Sequence, residues 1–458
     1  MRTFDLIVIG SGGGANLVSL AYELGYTVAL IEEWKLGGTC LNRGCIPSKM
    51  LIHPANVSRI IQEAEKFYIK AYQKSINFPQ ILKRINKTTD TESNDIKEWY
   101  QEKRKGLAFY SGHARFISNR IIEVQGEKIT AEKIVIATGA RSSIPLIPGL
   151  KGTPYLTSME ALRSRLLPKK LFVIGGGYIA CELGHAYGAL GSEVHLLVRD
   201  RALLTREDGE ISKNFTEAFS RRYQVHFWTV TEKVEYKKKK FTLYLKDAEG
   251  KKSKISGDGL LMATGVMPNS DKLGLENTNI SVNEKGFIKV NEYLETAVPG
   301  VYSLGDVVGN YMFRHSVNFE SQFLFQALFG KQRKPIQYPP MPHAVFTNPE
   351  VGSVGMTEEE LQKKNISYVV GKNEYRKSAM GEARLSSKEE FVKLLFHKQT
   401  RKLLGAHILG EEASTMIHQL IYAMTFGATA EDLLKMIYIH PALPEVIQKA
   451  AEKASDGF

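Results

Sequence analysis

Two cysteines, Cys40 and Cys45, stand five positions apart in GGTCLNRGCIPSKM, and the third, Cys181, lies far downstream. A close cysteine pair can ligate metal, close a disulfide or shuttle between disulfide and dithiol. Metal fits worst, because the spacing is not that of a C-x-x-C half-site and Cys181 alone supplies no second pair. A disulfide has a geometric condition. In an ideal helix a separation of five places Cα atoms roughly 8 to 9 Å apart, whereas bridged cysteines stand about 4.4 to 6.8 Å apart. A helix carrying this pair must therefore be distorted, and Gly44, between the two, has the backbone freedom to allow it. Cys181 reads as a small buried hydrophobe.

A second constellation lies near the other end of the chain, where IHPALPEVIQKAAEKA places His440 and Glu445 five residues apart around two prolines. Histidine titrates near working pH, and a carboxylate on its other ring nitrogen fixes tautomer and orientation, which is the layout of a general acid/base. Taken alone, such a pair is more often structural than catalytic.

The elements that must position these groups are announced by an internal match. FDLIVIGSGGGANLVSLAYELGYTVALIEE at 4–33 and LFVIGGGYIACELGHAYGALGSEVHLLVR at 171–199 each read as strand, glycine turn, helix and strand. Gly10, Gly12 and Ala15 in the first, and Gly175, Gly177 and Ala180 in the second, fit the G-x-G-x-x-G/A fingerprint. Glycines there permit a tight turn and close backbone approach, and the helix amino end faces a pyrophosphate with unpaired amides. Each copy is followed by an ATG-containing segment, IVIATGARSS and LLMATGVMPNS. Glu32 falls seven residues after Gly25, where a carboxylate accepts from both ribose hydroxyls, as FAD or NAD requires. Seven residues after Gly191 comes Val198 instead, with Arg199, Arg201 and Arg206 behind it. A guanidinium fork suits a 2′-phosphate, so the second unit reads as an NADPH site, with surface arginines beside an NADH site as the alternative.

The chain's 458 residues call for several domains. Hydrophobic residues at 43% and charged residues at 24% exclude a disordered or fibrous chain. Three cysteines are too few for a secreted, disulfide-stapled framework, which points to a reducing, cytoplasmic setting. The amino-terminal apolar run breaks into glycines rather than a signal-peptide cleavage site, and no run approaches the ~20 apolar residues of a membrane span. The net charge of +12, with lysines clustered at 237–240 and at Lys251, Lys252 and Lys254, comes without a nucleic-acid motif or interleaved aromatics. It favours an anionic cofactor or substrate over nucleic acid.

GGTCLNRGCIPSK, the two nucleotide units and HPALPE together resemble the flavoprotein disulfide reductases, the family that holds lipoamide dehydrogenase and the glutathione, mycothione and mercuric reductases. The resemblance spans nearly the whole chain. It implies an α/β fold with two Rossmann-like nucleotide-binding domains, one for FAD and one for NAD(P), and a C-terminal α+β dimerisation domain. The boundaries expected are 1–150 for FAD, 151–270 for NAD(P)H, 271–335 for a central domain completing the FAD site and 340–458 for the interface. Residues 66–105, polar and lysine-rich, are expected to be a helical connection.

The resemblance also implies roles. Cys45 would sit against the flavin in charge-transfer contact, and Cys40 would be the outer thiol that exchanges with substrate. Lys49, paired with Glu182, would lie near flavin N5. Thr39, Ala114, Thr138 and Gly139 would line FAD and Asp306 would bind its ribityl chain, while Gly265 would face the second nucleotide and Tyr178 would cover the flavin until nicotinamide arrives. His440 and Glu445 would be delivered across a homodimer interface. Arg43 departs from the family's usual apolar residue, and would either add positive potential beside the thiols or point to solvent. This sequence has no cysteine after Cys181, unlike mercuric reductases and the large thioredoxin reductases, and Val198 stands where lipoamide dehydrogenases usually carry an acid. The expectation is an NADPH-dependent reductase of a small-molecule disulfide. An NAD-linked dihydrolipoamide dehydrogenase is the alternative, and a non-catalytic FAD/NADPH sensor or structural subunit is the reading from another class.

Overall fold

The structure is a computed structural model that describes residues 1–102, 104–330 and 334–458. Lys103, within the expected helical connection, and 331–333, near the end of the expected central domain, lie outside the described residues. The chain divides into two compact units, one from Met1–Met50, Gln80–Ser143 and Gly265–Tyr338, the other from Leu51–Pro79, Ile144–Thr264 and Pro339–Phe458.

The first unit is built on a seven-stranded sheet. Its parallel part runs in the spatial order Leu107–Ser111, Val28–Glu32, Arg2–Ile9 and Glu127–Ile136, with Val301–Ser303 also pairing in parallel against Glu127–Ile136. Sequences such as LIVI and VALI form these strands because β-branched and aliphatic side chains fill both faces, and Leu6, Ile7, Val8 and Leu30 are fully buried. Ile121–Val124 and Arg115–Ser118 continue the sheet as an antiparallel edge.

The second unit repeats the parallel motif on four strands, in the order Gln224–His226, Glu193–Leu197, Lys170–Ile174 and Gly259–Met262. An antiparallel meander, Val230–Lys237, Lys240–Lys246 and Lys252–Gly257, packs Phe241, Leu243 and Leu245 with Phe172 and Leu197 of that sheet. The rest of the unit is a five-stranded antiparallel sheet over 343–410, whose core is shared with the helices Ala413–Thr425 and Glu445–Ser455 through Ile417, Leu420, Val446 and Ile447.

The two glycine turns explain the ATG segments. Gly10 (φ +104°) and Gly175 (φ +133°) end the first strands of their units in the left-handed half of backbone space. A Cβ at Gly10 would stand 2.3 Å from the Ala137 carbonyl oxygen, and one at Gly175 2.2 Å from that of Ala263. In each copy the backbone of the alanine-threonine-glycine segment is pressed against the turn, so the two features are one packing solution used twice.

The expected helical connection over 66–105 is helical only in its second half. The helix Phe78–Gln101 buries Phe78, Leu82, Ile85 and Thr89 at three- and four-residue spacing. Residues 69–77 are not helical, and although Ile69, Tyr72 and Ile76 stand at helical spacing, Ile69 and Tyr72 are exposed and have no core to pack into. Among the described residues no helix is long and apolar enough to cross a membrane.

Candidate redox-active site

The helix Gly38–Arg43 stops at Gly44, whose backbone (φ −139°, ψ −117°) leaves helical space, and a new helix, Cys45–Glu63, starts at the next residue. A Cβ at 44 would stand 2.9 Å from the Thr39 carbonyl oxygen. This break is the distortion the five-residue spacing demands, and it brings Cys40 and Cys45 together as a hydrogen-bonded pair of free thiols. Pro47 falls in the first turn of the second helix, where its missing N–H leaves no bond unmade, and the Ser48 N–H donates to the Gly44 carbonyl at 3.0 Å.

The two thiols are driven in opposite directions. The hydrogen bond from the Cys45 thiol draws the Cys40 pKa down to about 7, against partial burial, with further help from Arg314, the Ile46 backbone N–H and Lys49. The same bond pushes the Cys45 thiol up, since Cys45 holds the proton. The Ile46 N–H belongs to the first turn of the helix, so the positive end of that helix supports the Cys40 thiolate. In the reduced protein, alkylation by iodoacetamide is expected to map first to Cys40 with a pH midpoint near 7, and Arg314→Leu to move the midpoint upward by removing a stabilising cation. A midpoint at the ordinary thiol value, or Cys45 reacting first by peptide mapping, would contradict this arrangement.

Arg314 opens the helix Arg314–Phe329, some 270 residues from the thiols, and no local spacing could have singled it out. The Arg43 guanidinium lies 4.4 Å from the Trp34 ring centroid, in cation–π contact.

The residues expected to hold a flavin lie in local hydrogen-bond networks of the first unit. Glu32 ends its strand with Oε2 accepting from the Ser11 N–H (2.9 Å) and Oγ (2.7 Å), and Oε1 accepting from the Trp34 N–H at 2.9 Å. The Ser11 hydroxyl in turn accepts from the Gly37 N–H at 3.1 Å. The Gly112 N–H donates to the Glu32 carbonyl, which brings buried Ala114 close to that strand end. Thr138 and Gly139 are laced to Asn269 by three 2.9 Å hydrogen bonds. The space where a Cβ would project from Gly12 and Gly139 is empty. Asp306 is pushed up to about 6, by burial first and then by Glu320, whose carboxylate accepts from the Gly305 N–H at 2.7 Å. An open glycine loop, a carboxylate with lone pairs to spare and a partly buried acid are what an adenosine-ribityl ligand such as FAD would use, so these residues fit the group. Thr39 is exposed on the short helix before Gly44, and Ala15 opens the helix Ala15–Glu23.

In the second unit Gly177 leads into the helix Tyr178–Ala189, with Ala180 fully buried and open space beside Gly177 and Gly265. Val198 is buried under the turn, so Arg199 is the first outward side chain after the strand; it is exposed and its nearest carboxylate, Asp200, is 3.9 Å away. Arg201 and Arg206 are exposed as well. Buried Glu182 accepts from the Phe346 N–H at 3.0 Å. The Tyr178 hydroxyl donates a short hydrogen bond to Glu207, a buried carboxylate that sequence reading passed over.

His440 is exposed; its Nδ1 lies 2.8 Å from Glu445 Oε1, and Oε2 accepts from the Ala442 N–H at 2.9 Å. The His440 bond, then that amide, holds Glu445 below the usual carboxylate range. The five-residue spacing works because Glu445 opens the final helix and reaches back over the Pro441–Pro444 turn.

Residues 4–320 match the family profile described as pyridine nucleotide-disulphide oxidoreductase, and 341–451 match that family's dimerisation domain. A mycothione reductase of Mycobacterium tuberculosis is 33% identical, the alignment covering 98% of this chain and 99% of that one. A dihydrolipoyl dehydrogenase of Thermus scotoductus is 36% identical, over 99% and 97%. The structure of the HOCl-induced flavoprotein disulfide reductase RclA from Escherichia coli superposes with a TM-score of 0.86 at 26% identity, covering 98% of this chain and 99% of that one.

Proposed function

The chain belongs to the FAD-dependent pyridine nucleotide-disulphide oxidoreductases, and from that premise we propose that it is an NADPH-dependent reductase of a small-molecule disulfide. The observation that carries the reading is the Cys40–Cys45 pair, two hydrogen-bonded cysteines at a helix start where Arg314 and Lys49 favour the Cys40 thiolate.

FAD, when bound, supplies the passage of an electron pair from the nicotinamide to the cysteine disulfide. Gly10, Gly12 and Ala15 take its pyrophosphate, Glu32 a ribose and Asp306 the ribityl chain, with Thr39, Ala114, Thr138 and Gly139 lining the rest. Gly175, Gly177, Ala180 and Gly265 receive NADPH, Arg199, Arg201 and Arg206 take its 2′-phosphate, and Tyr178 covers the nicotinamide position. The Cys40 thiolate attacks one sulfur of the substrate, and the sulfur that leaves takes a proton from His440, oriented by Glu445 and contributed by the second copy of a homodimer. Cys45 then gives up its proton and attacks Cys40, the second thiol departs with a proton, and the cysteine disulfide is restored. The substrate gains two electrons and two protons, and two thiols are released.

The identity to a dihydrolipoyl dehydrogenase supports a second reading, an NAD-linked oxidation of a dihydrolipoyl group. The two separate on turnover with lipoamide and with low-molecular-weight disulfides, NADPH against NADH. The proposal expects flavin reduction by NADPH and inertness toward lipoamide. Arg199→Glu should weaken NADPH by roughly ten- to a hundredfold, the worth of a lost charge-assisted contact, and spare NADH. Rapid lipoamide turnover with NADH, or equal loss for both nucleotides, would overturn it.

A further inference from the structure

The meander of the second unit, Val230–Lys237, Lys240–Lys246 and Lys252–Gly257, has two unlike faces, because successive side chains of a strand point to opposite sides. Val234, Phe241, Leu243 and Leu245 turn inward to Phe172 and Leu197. The register sets Lys233, Tyr244 and Lys254 in one row across the outer face, Lys246 opposite Lys252 in another, and Lys237 opposite Lys240 at the turn. Lys238 and Lys239 in that turn, and Lys251 before the third strand, are exposed beside them. Two lysine clusters that are separate along the chain thus become one basic surface.

Most of this charge is not neutralised from within. Glu235 lies 2.7 Å from Lys233 and 3.9 Å from Lys237, and Glu232 lies 3.8 Å from Lys252. Among the described residues, Lys238, Lys239, Lys240, Lys246, Lys251 and Lys254 make no ion pair. The arrangement also works against the sheet. Like charges directly opposite each other destabilise paired strands. Lys238 (φ +49°) and Lys239 (φ +59°) hold the two left-handed positions of a hairpin turn that asparagine and glycine occupy with less strain. A rim that served solubility alone could mix both signs and use the easier turn residues.

We propose that this face docks the protein peripherally on an anionic lipid surface. Residues 230–257 contain nine lysines and no arginine. Lysine is a point charge on a flexible stem, which suits a fluid layer of anionic headgroups, whereas a guanidinium fork suits the fixed phosphates of nucleic acid. A single strand of nucleic acid is also bound on a succession of stacking rings. Here Tyr244, with Lys233 Nζ 5.1 Å from its ring centroid, faces outward, while Tyr236 packs against Phe241 with centroids 4.7 Å apart. At the end away from the turn, exposed Val230 stands opposite Lys246, and exposed Trp228 precedes it by two residues. Tryptophan beside lysine is the pairing that settles at the boundary between headgroups and acyl chains.

Co-sedimentation of the holoenzyme with phosphatidylcholine vesicles, with and without phosphatidylserine, tests the proposal. The protein should bind the phosphatidylserine vesicles at low ionic strength, leave them as salt screens the charges, and ignore pure phosphatidylcholine. Each lysine near such a surface is worth about fivefold in partition. Lys240→Gln, Lys246→Gln and Lys254→Gln combined should therefore weaken binding about a hundredfold, and the corresponding triple glutamate variant should weaken it further. Flavin content and flavin reduction by NADPH should stay as in the wild type, which shows that the fold is intact. Lys83→Glu, Lys87→Glu and Lys97→Glu combined, on the helix Phe78–Gln101, change the net charge as much as the glutamate variant does and should leave binding in place. Absence of binding to phosphatidylserine vesicles at low salt would overturn the proposal, and so would equal losses from the two glutamate variants. Binding of a single-stranded oligonucleotide, lost in the glutamine variant while vesicles are ignored, would assign the face to nucleic acid instead.

Discussion

Cys40→Ser is expected to lower disulfide turnover by about three orders of magnitude or more, while reduction of the bound flavin by NADPH persists and electrons still reach a quinone. The expectation follows from the division of labour in the pair. Cys40 is the member whose charge is stabilised, by the Cys45 thiol, the Ile46 N–H, Arg314 and Lys49, and a serine hydroxyl in its place neither ionises at neutral pH nor forms a bond to sulfur. The quinone measurement separates the nucleotide and flavin half of the protein from the thiol half. A Cys40→Ser protein that still reduced small disulfides at the wild-type rate would show that the thiol pair is not the route.

His440→Gln is the second large effect. Glutamine can keep a hydrogen bond to Glu445 but cannot deliver a proton, so disulfide turnover should fall by roughly a hundred- to ten-thousandfold, the range for loss of a general acid/base, with flavin reduction by NADPH near normal. The limb of the pH profile that reports the acid should vanish with it. The geometry makes the substitution selective, because Nδ1 faces Glu445 at 2.8 Å and the ring is otherwise exposed. Undiminished turnover would remove His440 from the chemistry and leave the pair as a structural tie.

What could be read ahead of the structure was what short spacing encodes. The two glycine fingerprints, Glu32 at its strand end, the break forced at Gly44 and the reach from His440 to Glu445 are all set within about thirty residues of chain, and each appears where its spacing places it. Arg314 was not legible because it acts on thiols that topology brings to it from some 270 residues away, and Glu207 and Glu320, though nearer to Tyr178 and Asp306 in sequence, are lone glutamates with no periodic signature. The connection over 66–105 was half right, since the apolar residues from Phe78 onward find a core to bury in and those just before it, Ile69 and Tyr72, do not.

The Ser11 hydroxyl, which donates to Glu32 and accepts from the Gly37 N–H, joins the Glu32 carboxylate to the start of the helix that carries Cys40 by a single side chain. On the proposed reading of Glu32 as a ribose acceptor, cofactor retention and the order of the Cys40 helix are coupled through that hydroxyl, and a condition that strips the flavin is expected to loosen the turn before Cys40 as well.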